Sequence, residues 1–220
     1  KQILIDLDFL SLEITHQKLI GVTGTEGKSS ICNYINNLLS KKYNTKIIGN
    51  YGNTILNKNN LQNYLSKLDF IIIELSSYQL DKLKFLKLHY ALITNIYSDH
   101  LNYHNNQKNY VISKFRIQKL LYSNSNLYLP INLYFEYKSY IKLNKNRLIL
   151  NDNKTIYNND LTKYFQNLNL SSIRKLIKNI DSNLNFKINT NKNELNFRNQ
   201  LIYKSKNLKI YNDSKCTNLF

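Results

Sequence analysis

The chain has 220 residues, enough for one sizeable hydrophobic core and part of a second domain. Its 42% hydrophobic content includes no apolar run near the roughly 18 residues that cross a membrane, and no secretory leader is recognisable, so a membrane-embedded or exported class is not expected. The formal charge of +17 is spread along the whole chain among Asn, Ile and Tyr rather than gathered on one helix or arm, which argues against a nucleic-acid binder and leaves a general preference for anionic ligands.

Two cysteines, Cys32 and Cys216, lie far apart with no metal-ligand spacing, as expected in a reducing cytoplasm. There is no methionine, and Lys1 to Asp6 enter at once into a strand-like run, so the chain reads as an internal portion of a longer protein.

Lys18 to Val22 is an apolar run that predicts a buried strand. Gly24 and Gly27 bracket a tight turn, and Lys28, Ser29 and Ser30 open an amphipathic run through Ile31 to Leu39. A strand, a glycine turn and a fresh helix N-terminus are what a phosphate cradle requires, because glycines permit unusual backbone angles and the helix offers free N–H groups. The spacing departs from the common P-loop: Val22 stands where its first glycine would fall, so the cradle is Gly24, Thr25, Glu26, Gly27, Lys28, Ser29. Taken alone, the same stretch also reads as a glycine turn that merely ends a strand.

Lys46 to Gly49 predicts a short strand ending at Gly49-Asn50-Tyr51-Gly52, and Leu61 to Leu68 a weakly patterned helix. Asp69 to Leu75 and Leu88 to Ile96 are near-continuous apolar strands of the kind found in a parallel sheet covered on both faces. Asn106 to Tyr122 predicts a helix, Asn126 to Leu129 a strand before the single proline, Pro130, and Arg147 to Leu150 another β-leaning segment. Leu168 to Ile180 predicts a helix and Leu208 to Tyr211 a late strand, with Asn-Lys tracts at 142–154 and 189–196 as loops. Strands alternating with helices predict an α/β fold with a doubly wound, mostly parallel sheet.

Glu74 closes one apolar strand and His100 follows the next, at the strand ends where open α/β sheets place ligands. Glu74 suits a Mg²⁺ ligand, or is a strand-end charge reaching solvent. His100 suits a metal or phosphate contact, or is an ordinary polar contact. Lys114, among so many lysines, reads by composition as a solvated surface charge. Arg198, Asp213 and Lys215 form a polar group near the last strand with no role that their residue types assign.

Five motifs then occur in order: Gly21 to Ser30, Glu74 to Leu80 (Glu-Leu-Ser-Ser-Tyr-Gln-Leu), Ser98-Asp99-His100, Ser113 to Arg116, and Asn212 to Asn218. The set resembles the Mur ligases of peptidoglycan synthesis, and among them the member that adds D-glutamate to UDP-N-acetylmuramoyl-L-alanine. The resemblance implies an ATP- and Mg²⁺-dependent ligase, cytoplasmic and monomeric, that forms an acyl phosphate and then an amide. It implies a central ATPase domain over 1–196, the start of a Rossmann-like C-terminal domain over 197–220, and no N-terminal UDP-binding domain within the chain.

By resemblance, Gly24 through Ser30 hold the ATP phosphates, with Lys28 catalytic and Ser29 on Mg²⁺. Glu74 and His100 join the metal set, and Lys114 is carbamylated to become an anionic ligand. Asn50 and His100 face the muramoyl substrate. Asn167 is the counterpart of an adenine-side asparagine, and Arg198, Asp213 and Lys215 are hinge residues that contact nucleotide and substrate. Two other readings stay open: an ATP-holding remnant without ligase activity, and a ligase of the folylpolyglutamate synthase kind.

Overall fold

The computed structural model describes residues 4–50, 60–151, 161–184, 200–205 and 208–212, with the backbone alone for 161–168 and 200. The apolar runs become strands of one six-stranded sheet: Lys18–Thr23 (β1), Thr45–Gly49 (β2), Phe70–Glu74 (β3), Leu88–Ile93 (β4), Leu121–Pro130 (β5) and Leu148–Asn151 (β6). All neighbours are parallel, in the order β2-β3-β1-β4-β5-β6. The chain therefore leaves β1 toward one edge and later returns to its other side. The strand order reverses at β1 and β4, and the carboxyl ends at such a point are where open α/β sheets bind ligands.

The helices are Asp6–Glu13 (α1), Lys28–Leu39 (α2), Leu61–Leu65 (α3), Ser77–Lys82 (α4), Leu101–His104 (α5), Gln107–Phe115 (α6), Ile131–Glu136 (α7) and Leu161–Ile180 (α8). Alternation along the strands splits the core in two. Leu19, Ile71, Ile73, Ala91 and Leu127 pack with Leu10, Leu80, Val111 and Phe115 on one face. Ile20, Val22, Ile72, Leu92 and Tyr128 lie on the other face, which α2 and α8 cover with Ile31, Ile35, Ile173 and Leu176. Each large aliphatic side chain so buried contributes about 1.5–3 kcal/mol. The doubly wound parallel sheet is thus as expected, and every described strand of it is parallel.

One expectation is untouched and one is corrected. Of the strand-like start, residues 1–3 lie outside the described residues, and from Asp6 the chain is α1, in which Leu7 and Leu10 turn inward together and Asp8 is buried at its base. Asp8 Oδ1 accepts from the backbone N–H groups of Lys84 and Phe85 at 3.0 and 2.9 Å, which docks the helix on the loop before β4. The long helix expected over 106–122 stops at Phe115 and passes through a 3-10 turn, Arg116–Leu120. Leu121 already pairs with Leu88 in the sheet, so strand pairing takes the residues that helical pattern alone would keep.

The chain divides into two compact units, Lys1–Phe186 and Lys187–Phe220. In the second, Gln200–Lys204 (β7) and Lys209–Asn212 (β8) pair antiparallel, the latter where the late strand is expected. Among the described residues, no helix is long and apolar enough to cross a membrane.

Candidate functional site

β1 ends at Thr23, whose hydroxyl donates to the Leu75 carbonyl at 2.8 Å and ties the strand end to β3. The next residue must be glycine: Gly24 has φ +149°, and a side chain there would run into Thr94 Oγ1. The loop is then stapled to the end of β4. Thr25 N–H donates to Asn95 O at 3.0 Å and Glu26 N–H to Asn95 Oδ1 at 2.8 Å. Glu26 O in turn accepts from Thr94 Oγ1 at 2.7 Å and Asn95 Nδ2 at 3.2 Å. Gly27, at φ +75°, caps α2, so Lys28, Ser29 and Ser30 form its first turn, whose N–H groups have no intrahelical acceptor. Ser29 is buried there.

Two lysine amines meet on one oxygen. Lys28 Nζ donates to Gly24 O at 3.0 Å and Thr25 O at 2.7 Å, and Lys114 Nζ donates to the same Gly24 O at 2.8 Å. Lys114 is 2% exposed, so the solvated surface charge that composition suggests is replaced by a buried amine. Burial, and then the Lys28 ammonium beside it, hold Lys114 well below the usual lysine range. Its Nζ stands 5.0 Å over the ring of Tyr110, one helical turn earlier in α6. The Tyr110 hydroxyl lies 3.0 Å from Thr25 Oγ1, and burial pushes its pKa up to about 12.

Opposite stands Glu74, at the end of β3 and 2% exposed. Its Oε1 accepts from Asn50 Nδ2 at 2.9 Å, while Oε2 is buried with no partner among the described residues. The approach depends on Gly49, at φ +102°, where a side chain would run into the Glu74 carbonyl. Cys32, fully buried in α2, is pushed well up in pKa by burial and by Glu74, and Lys28 opposes this. The arrangement fits a nucleotide phosphate and a divalent cation: a glycine-lined loop leading into a helix N-terminus, two lysines, and one buried carboxylate oxygen with no partner among the described residues. Among the described residues no three His, Cys, Asp or Glu side chains gather into a ready metal cage.

His100 has φ +52° and sits on the rim, its N–H held by Asp99 Oδ1 at 2.8 Å. Its ring lies 5.1 Å from that of Tyr78 and 6.3 Å from that of Tyr110, centroid to centroid. The structure therefore brings Gly24 to Ser30, Asn50, Glu74 and Lys114 together, with His100 one aromatic ring away. Asn167 lies in α8 with its side chain outside the described residues. The α8 residue seen at the loop is Asn169, whose Nδ2 is 3.4 Å from where a Gly27 side chain would begin. Arg198, Asp213 and Lys215 lie outside the described residues. Thr94, Asn95 and Tyr110 were not singled out from the sequence. The first two are polar residues at the end of the apolar run predicted as a strand over Leu88 to Ile96, just past where β4 stops at Ile93, and the third stands four residues before Lys114, which is the signal that points to them.

A family model described as the Mur ligase middle domain matches residues 22–212. Among similar proteins is a UDP-N-acetylmuramoylalanine--D-glutamate ligase of Fervidobacterium nodosum, 43% identical over 104 residues, covering 46% of this chain and 24% of that protein. Ligases of the same name from Borreliella afzelii and Lactococcus lactis are 31% and 29% identical over 94% and 96% of this chain, and 51% of each of those proteins. The chain thus spans a quarter to a half of the length of these relatives. Among solved structures, MurF from Acinetobacter baumannii superposes with a TM-score of 0.66 at 14% identity, over 94% of this chain and 52% of that one. MurF ligase from Thermotoga maritima in complex with ADP gives 0.64 at 16% identity, over 94% and 56%. At such identities the likeness speaks for the fold alone.

Proposed function

Because this chain belongs to the Mur ligase family, whose middle domain it contains, we propose that it is the nucleotide-handling part of an ATP-dependent ligase joining D-glutamate to UDP-N-acetylmuramoyl-L-alanine. The relatives named above support the choice of amino acid. The observation that carries the reading is the convergence of Lys28 and Lys114 on the Gly24 carbonyl, beside a buried Glu74 oxygen with no partner among the described residues. We place the central domain at 1–196 and the start of the C-terminal domain at 197–220, in a cytoplasmic monomer.

In this reading the loop N–H groups and Lys28 bind and orient the phosphates, and Lys28 neutralises the charge that spreads over the transferring phosphoryl group. Ser29, Glu74 and His100 hold Mg²⁺, which supplies Lewis-acid polarisation of the phosphoryl oxygens. The buried Lys114 amine, held well below the usual lysine range, is suited to add carbon dioxide, losing a proton as the carbamate forms, and would present that carboxylate to the same cation. Asn50 orients Glu74 from one side and faces the muramoyl substrate from the other. The substrate carboxylate takes up the phosphoryl group as an acyl phosphate, which the amino group of D-glutamate then opens, releasing phosphate. Asn167, Arg198, Asp213 and Lys215 complete the nucleotide and substrate contacts.

The test is phosphate release from ATP by the chain extended to the length of its relatives. Release that needs both UDP-N-acetylmuramoyl-L-alanine and D-glutamate, with L-glutamate and diamino acids inactive, is the expected result. Release that persists without D-glutamate, or with L-glutamate in its place, overturns it. The length of the chain favours one second reading for the 220 residues by themselves: they hold ATP without turning it over. Saturable ATP binding with no substrate-dependent release is its signature.

A further inference from the structure

Glu74 and Lys114 face the same loop from different elements. Glu74 ends β3, which leads through Leu75 and Ser76 into α4, whereas Lys114 belongs to the last turn of α6. Asp81, in the last turn of α4, meets residues that flank α6. Its Oδ1 lies 3.3 Å from Arg116 Nη1, which also donates to the Asp81 backbone carbonyl at 2.9 Å. Its Oδ2 lies 3.5 Å from His104 Nδ1. His104 ends α5 just before α6, and Arg116 follows the last residue of α6. One carboxylate thus grips the chain on both sides of the helix that carries Lys114.

His104 is 4% exposed and packs among aromatic rings, 4.8 Å from Tyr103, 5.3 Å from Tyr110 and 5.8 Å from Tyr78 between centroids. Its Nε2 is buried with no partner among the described residues, an arrangement that costs stability. A phenylalanine would fill the same space without that cost, so the imidazole is distinguished there by the nitrogen it turns to Asp81. The partners of Asp81 are partly exposed on the Arg116 side, where ion pairs add little stability. What the grip supplies is geometry: Tyr110, which lies against His104, also touches the phosphate loop at Thr25 and underlies the Lys114 amine.

We propose that Asp81 is a positioning residue for Lys114, locking α6 onto α4 so that the amine stays at the Gly24 carbonyl and at a fixed distance from Glu74. The proposal rests on the reading above that Lys114 and Glu74 act together.

It is tested on the whole chain with Asp81→Asn, Asp81→Glu and Arg116→Gln, by labelling amines with acetic anhydride and mapping the peptides. The readout is the labelling rate of Lys114 relative to Lys175, whose Nζ is held by Leu150 O away from this cluster. Local release of α6 raises that ratio on the order of tenfold in Asp81→Asn and Arg116→Gln, and Asp81→Glu restores it. A ratio that stays at the wild-type value while the melting temperature falls means a structural role only and overturns the proposal, as does a ratio that Asp81→Glu fails to restore. In the extended enzyme the same variants lower kcat with little change in KM for D-glutamate; a change confined to KM overturns it as well. If the wild-type enzyme releases no phosphate, the functional reading fails, whereas the labelling ratio still decides the role of Asp81.

Discussion

At the amino ends of the strands, buried polar groups spend their hydrogen-bonding capacity inside the protein. Asp8 accepts two backbone N–H groups, Gln17 bridges Thr15 N–H and Leu65 O at 2.9 Å each, and His89 Nδ1 accepts from Leu19 N–H at 3.1 Å. At the carboxyl ends the opposite holds. Two lysines crowd one carbonyl, a buried carboxylate has one oxygen without a partner among the described residues, and Gly24, Gly27, Gly49 and His100 all adopt positive φ. One pole spends its polar groups on the fold, and the other gathers amines and a buried carboxylate at one loop, as functional sites do.

Substitutions at the two poles should therefore separate activity from stability. The largest effect is expected for Lys28→Ala in the extended enzyme, a loss of about 10²–10³ in kcat, since one preorganised charge at the phosphoryl group is removed. A near-normal rate there removes the loop from the mechanism. Glu74→Gln should weaken Mg²⁺-dependent nucleotide binding about 10–100-fold, while the melting temperature holds or rises because a buried charge is gone. Calorimetric titration and thermal melts on one sample read both halves, and a fall in melting temperature with unchanged affinity would place Glu74 among the stabilising residues.

Asp8→Ala is the mirror experiment. It leaves the Lys84 and Phe85 N–H groups without their acceptor and should cost about 1–3 kcal/mol in urea unfolding, with nucleotide affinity unchanged. The smallest effect is a pH dependence at the same pole. Asp181, after α8, accepts from Lys42 Nζ at 2.6 Å and from the Tyr43 hydroxyl at 2.8 Å. The Lys42 hydrogen bond, then the Asn183 N–H, lowers Asp181 from the ordinary 3.8 to about 2. A depressed carboxyl pKa stabilises the fold fully above the ordinary value, and that contribution fades as pH falls toward about 2. Melts between neutral pH and acid should show this loss in the wild type and not in Asp181→Asn. Parallel curves for the two would mean that this clasp is idle.

How much of this was legible in the sequence follows the same division. The parallel sheet was, because Ile71, Ile72 and Ile73 form an uninterrupted apolar run that only a doubly covered strand explains. The phosphate loop was too, since glycine positions report backbone angles directly. Lys114 was legible only through resemblance: in a chain with so many lysines, nothing local says which is buried, and burial comes from helices that meet in three dimensions. Asp81 and His104 escaped for the same reason, being 23 residues apart in sequence and joined only by the fold. α1 escaped too, because the Asp8 contacts that dock it come from residues 84 and 85.

The Lys28 ammonium has a consequence for how a guest enters. With two of its three protons directed to Gly24 O and Thr25 O, the side chain is latched to its own loop. An incoming anion must exchange places with those carbonyls, so a diffuse single charge gains little and a dense multiple charge gains much. The latch acts as a threshold on charge density, and Lys114 gives the same Gly24 carbonyl a second donor.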